Sequence, residues 1–125
     1  MTFESLGFIN SCLDEMGINY EFMEWTSSPV PEMYWTGEYS ESESMDEDGS
    51  EESTFMLTGT TKKKFIELES VRQKFKEAFP TYGKKSILES GSGIVIMYSD
   101  SFPIPSVQEG VHRLQVNLRI KEWRC

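Results

Sequence analysis

One histidine and two cysteines are all the imidazoles and thiols that 125 residues offer. The cysteines, Cys12 and Cys125, stand at opposite ends of the chain and form neither a CxxC pair nor a zinc-ligand spacing. Free thiols in a reducing compartment are therefore expected. His112 shares the apolar face of Leu114 and Val116 near the start of a clear strand pattern, so it reads as a partly buried structural residue rather than a base. Long apolar runs are missing too: none approaches the ~20 residues of a membrane-spanning helix. The opening MTFESLGFINSCLDE has acids where a secretory leader has lysines, and no cleavage pattern. A cytoplasmic protein is the expectation. There is no GxSxG motif, and the GSG at 91–93 precedes a strand pattern rather than a helix. No catalytic constellation emerges, so neither enzymatic activity nor a cofactor is expected.

Positive charge is scarce as well. Twelve bases face twenty-one acids, giving a net charge of −9. The excess is local. Glu38, Glu41, Glu43, Asp46, Glu47, Asp48, Glu51 and Glu52 fall in one tract with no base, and the rest of the chain has thirteen acids against twelve bases. A near-neutral domain with one acidic appendage lacks the basic surface that direct nucleic-acid binding needs.

At this length one domain is expected, with 38% hydrophobic and 13% aromatic residues sufficient for a core. Phe3, Leu6, Ile9, Leu13 and Met16 recur at helical spacing and predict a helix over 3–16, capped by Thr2 and ended by Gly17. A strand is predicted over Ile18–Trp25, followed by a loop carrying Pro29 and Pro31. Met33–Tyr39 and Thr54–Thr60 read as the arms of a β-hairpin, with a long flexible acidic loop over about 40–53 and a turn signal at Asp48-Gly49 from which the arms could extend. Phe65, Leu68, Val71, Phe75, Ala78 and Phe79 stripe a second helix over Lys62–Phe79, with Thr60 or Thr61 as its cap and Pro80 as its end. Lys62, Lys63 and Lys64 then fall at the helix N-terminus, where the macrodipole disfavours cations, which suggests an external partner. Residues 81–93 read as a turn-rich connection and Ile94–Tyr98 as a buried strand. Val111–Trp123 alternates Leu114, Val116, Leu118 and Ile120 with polar and basic residues, which predicts a strand with one wet face. The fold class is α+β: a mostly antiparallel sheet of about five strands with two helices on one face, in the order α-β-β-β-α-β-β.

The acidic tract contains D-E-D-G, part of a calcium-loop pattern. With Gly49 at the sixth position of a twelve-residue loop, the first and last positions are Ser44 and Phe55, so both anchoring carboxylates are missing and no metal is expected. Trp25, Trp35, Trp123, Tyr34 and Tyr39 are more rings than one small core needs, so some are expected at an interface between subunits.

The hairpin phrases PEMYWTGEYSE and FMLTGTTKKKFIELESVRQKFKEAF, with the closing strands SGIVIMYSDSFPIP and HRLQVNLRIKEW, resemble the layout of phage tail-completion proteins, the tail terminators and head–tail joining (neck) proteins of long-tailed phages and prophages. The resemblance implies a non-enzymatic structural protein. It implies a homo-oligomeric ring, commonly a hexamer, that caps the tail tube and meets the head connector, first in the host cytoplasm and then in the virion. On that basis the acidic tract is expected to meet a basic patch on an adjacent subunit or partner. The candidate patches are Lys62, Lys63 and Lys64, or Arg113, Arg119 and Lys121. The alternative is an acidic mimic of DNA that blocks a nucleic-acid-binding protein, which would need its acids spread over a rigid face.

Overall fold

The computed structural model describes residues 1–45, 51–106 and 108–123, with the side chains of 42–45 left aside. The chain is α+β: a mixed six-stranded sheet and two helices. In order, the elements are α1 (Phe3–Glu15), β1 (Tyr20–Phe22), β2 (Met33–Met45), β3 (Glu51–Thr61), α2 (Phe65–Ala78), β4 (Lys84–Ile87), β5 (Gly93–Ile104) and β6 (His112–Trp123). The strands lie side by side as β1-β2-β3-β6-β5-β4. β1 runs parallel to β2, and every other neighbouring pair is antiparallel.

α1 forms where the apolar stripe placed it. Thr2 and Ser5 make a reciprocal capping box at its start, and Gly17 leaves it at φ +74°. α2 begins later than predicted. Lys62, Lys63 and Lys64 precede it, and Lys64 is an N-cap without a side-chain hydrogen bond. Neither threonine caps the helix: the Thr61 hydroxyl instead accepts the Lys63 amide at 3.0 Å. The lysine run therefore leads into the helix rather than forming its first turn.

The hairpin departs most from expectation. β2 continues to Met45 and β3 resumes at Glu51, so most of 40–53 is strand rather than flexible loop. Register explains the extension. Ser40 and Glu41 pair with Thr54 and Ser53, and β3 is held on its other side by β6, Glu51 facing Glu122 and Glu52 facing Lys121. The calcium-loop residues Asp46, Glu47, Asp48 and Gly49 lie outside the described residues, as does Cys125.

Two further differences concern the edges. The 81–93 connection contains β4, a four-residue strand paired only with β5. β5 continues through Pro103, well past the Gly93–Ile96 stretch that β4 covers, so that Pro103 is flanked by β6 alone among the described strands. β1 is shorter than predicted: Met23 adopts φ +70°, and Glu21 accepts hydrogen bonds from Thr26 and Ser27 that fold the chain into a loop.

One face of the sheet and both helices share a single core. Ile9, Leu13, Leu68, Phe75, Trp35, Phe55, Leu57, Val116 and Leu118 are buried in it. Two glycines make room for its rings. Trp35 lies directly across the ladder from Gly59, where a Cβ would come within 2.6 Å of the indole. At Gly37 a Cβ would meet the Phe55 ring at 2.6 Å. Among the five rings singled out above, Trp35 is core, at 1% exposure. Trp25 and Tyr34 tilt against each other outside the core, with centroids 5.6 Å apart.

Candidate interaction surfaces

The β2–β3 hairpin carries opposite charge at its two ends. Thr61 and Glu51 bound β3, ten residues and therefore about 33 Å apart at ordinary strand rise. Beyond Thr61 stand Lys62, Lys63 and Lys64, all exposed. At the other end are Glu41, Glu51 and Glu52, with Asp46, Glu47 and Asp48 in the segment that joins the arms. The lysines and the acidic end of one chain cannot meet.

The acids and the β6 bases do meet. Arg119 bonds Glu52 from the neighbouring strand, its Nε donating to Oε1 at 2.9 Å and its Nη2 making a second contact. Lys121 stands directly opposite Glu52 in the ladder. Arg113, Gln115, Asn117, Arg119 and Lys121 share the sheet face away from the helices with Glu38, Glu52, Thr54, Met56, Thr58 and Thr60. The base of the acidic tract is thus partly neutralised within its own chain. Lys63 contacts Glu32 at 3.4 Å, across an exposed gap. Glu38 is exposed, and Glu41 meets the Met1 ammonium group. Glu43 lies in β2.

His112 departs from its expected role. It is exposed and packs edge-on against Phe65, with centroids 6.2 Å apart. Its position at the first residue of β6 puts it beyond the core although its parity matches Leu114. Cys12 is buried in α1, and burial pushes its thiol pKa up, with Lys84 opposing and Glu15 adding to the rise. A buried thiol with a raised pKa is a poor nucleophile.

Sequence reasoning missed Glu122. It is 3% exposed, and its Oε2 accepts from the Thr2 hydroxyl at 3.3 Å, beside the N-terminus of α1. Its Oε1 is buried without a hydrogen-bond partner among the described residues. The signal was available: Glu122 has the parity of Leu118 and Ile120 and so had to point inward. A carboxylate there ties the last strand to the first helix, where the helix dipole favours negative charge.

Surface relief among the described residues is shallow. A cleft of about 240 Å³ at the acidic end is lined by Ser40, Glu41, Glu52, Ser53 and Thr54. A groove of about 310 Å³ separates α1 from β4. Among the described residues no group of three or more histidine, cysteine, aspartate or glutamate side chains is placed to hold a metal. No described helix is long and apolar enough to cross a membrane. Neither the protein-family models nor the curated proteins compared with this chain gave a match.

Proposed function

We propose that this chain is a structural subunit of a phage tail-completion assembly, a tail terminator or head–tail joining protein that works as a homo-oligomeric ring. The phage assignment rests on the likeness of the hairpin and closing-strand phrases to that group. The observation that carries the assembly role is the charge polarity of the hairpin, with acids at one end and three lysines about 33 Å away at the other. A subunit with unlike ends suits contacts in which one surface meets a different surface on the next component. The acidic end is the docking element for a basic surface on the tail tube or the head connector. Charge there orients the approach and speeds association more than it adds affinity. Assembly takes place in the host cytoplasm and the product is part of the virion.

A DNA-mimic role is less well supported, because Glu52 is already paired with Arg119 and flanked by Lys121 on the same face. The test is electron microscopy of tail tubes mixed with purified protein at low salt. Wild type is expected to cap tube ends, and the triple variant Asp46→Ser, Glu47→Ser, Asp48→Ser to lose most capping. Undiminished capping by the variant would remove the acidic end from the mechanism.

A further inference from the structure

The sheet has two open edges that differ in charge and in shape. At one end β1 stops at Phe22, having covered β2 only from Trp35 to Gly37. Among the described residues no strand lies on that side of β2 from Glu38 to Glu41. At the other end β4, also four residues long, has β5 as its one neighbour among the described strands.

The side chains at these edges complement each other. Beside the β2 edge, Phe22 and Tyr39 stack with centroids 6.1 Å apart, yet they are 42% and 39% exposed. They project on the helix-bearing side of the sheet, since Phe22 is level with Gly37 and Tyr39 with Phe55. Beside the β4 edge, on that same side, the α1–β4 groove is lined by Gly7, Phe8 and Leu88 together with Glu4, Ser11, Ser86 and Glu89. On the opposite side of the sheet, Glu38 stands exposed at the first edge and Lys85 and Ile87 at the second. One edge therefore carries an aromatic knob with an acid on the opposite face, and the other a partly apolar groove with a base on the opposite face.

We propose that the ring is built by strand addition between copies, β4 of one chain pairing with Glu38–Glu41 of the next. This rests on reading the chain as a ring subunit and adds which surfaces close it. The Phe22–Tyr39 pair enters the α1–β4 groove, and Lys85 faces Glu38. Strand directions agree. Counting across the antiparallel pairs, β4 runs the same way as β2, so a rotated copy presents β4 parallel to β2. β1 already has that relation to β2. Backbone pairing supplies the contact, and the alternating side-chain pockets supply its specificity. Two copies meeting at like edges would oppose Glu38 to Glu38 or Lys85 to Lys85, so the contact is head-to-tail and propagates around a ring.

The test uses two variants, Phe22→Arg, which blocks the knob, and Gly7→Arg, which fills the groove from α1, where a Cβ meets nothing within 4 Å. Both positions are exposed, and far-UV circular dichroism checks the fold. Should either misfold, Glu38→Lys and Lys85→Glu probe the same two edges. Native mass spectrometry at low salt is expected to find wild type as rings and each variant alone as single chains. Mixing the two is expected to give dimers and nothing larger, because each copy keeps the edge the other lost. Rings from either variant alone, or single chains from the mixture, would overturn the edge pairing while leaving the ring reading intact. Wild type that stays a single chain at every concentration would overturn both.

Discussion

At the scale of single residues, close approach of rings to glycine fixes the hairpin. Trp35 covers Gly59 so closely that a methyl group at that position collides with the indole. Gly59→Ala is expected to destabilise the fold by about 1–3 kcal/mol, the usual cost of overpacking a filled core. Urea unfolding followed by tryptophan fluorescence measures it. The glycines themselves were visible in the sequence, as interruptions of two strand patterns. Their role was not, because it depends on Trp35 and Gly59 lying opposite each other across the ladder.

Tyr20 supplies a second residue-scale test. Burial pushes its phenol from the ordinary 10.0 up to about 12. The folded state therefore favours the neutral phenol. That contribution is complete below pH 10.0, shrinks above it, and is gone once the pH has risen through about 12. An ultraviolet titration is expected to show one tyrosine ionising near pH 12 that is missing in Tyr20→Phe. Stability at alkaline pH is expected to fall less in that variant. A titration unchanged by the substitution would contradict the buried placement of Tyr20.

At the scale of elements, the longest and most periodic patterns were the legible ones. α1 is present with its cap, and β6 runs from His112 to Trp123 as its strict alternation required. What composition alone could not fix was how far β2 and β3 run. Acidic residues have low strand propensity, so Ser40–Met45 and Glu51–Ser53 read locally as loop. Pairing overrides that preference, because β6 supplies Arg119 to Glu52 and a continuous partner to β3. β4 was hidden for the opposite reason: KKSI is too short for any period and is strand only because Ile94 and Ile96 lie beside it. The hairpin arms are held by this ladder. The Asp46, Glu47, Asp48 serine variant leaves the ladder intact and is expected to keep the thermal stability of wild type to within about 1 kcal/mol. A large loss measured by calorimetry would mean that these acids serve the fold rather than a partner.

At the scale of the whole molecule, two asymmetries lie on surfaces that face away from the core. The hairpin ends differ in charge, and the sheet edges differ in charge and relief. The sequence revealed the first asymmetry, since the acids and the lysines are each contiguous. It could not reveal the second, because Phe22, Tyr39, Gly7 and Phe8 become knob and groove only after β1 and β4 are placed at opposite ends of the sheet. Of the candidate residues read from sequence, Glu52 and Arg119 pair within the chain, and Lys63 contacts Glu32 there as well.

The central claim is that this chain assembles with itself into a closed ring. Analytical ultracentrifugation of wild type at low ionic strength, over a hundredfold range of concentration, tests it most directly. A single discrete assembly of several copies is expected, dissociating as salt is raised because charge helps to orient its contacts. A chain that sediments as one copy throughout, or that grows without limit into open fibres, would contradict it.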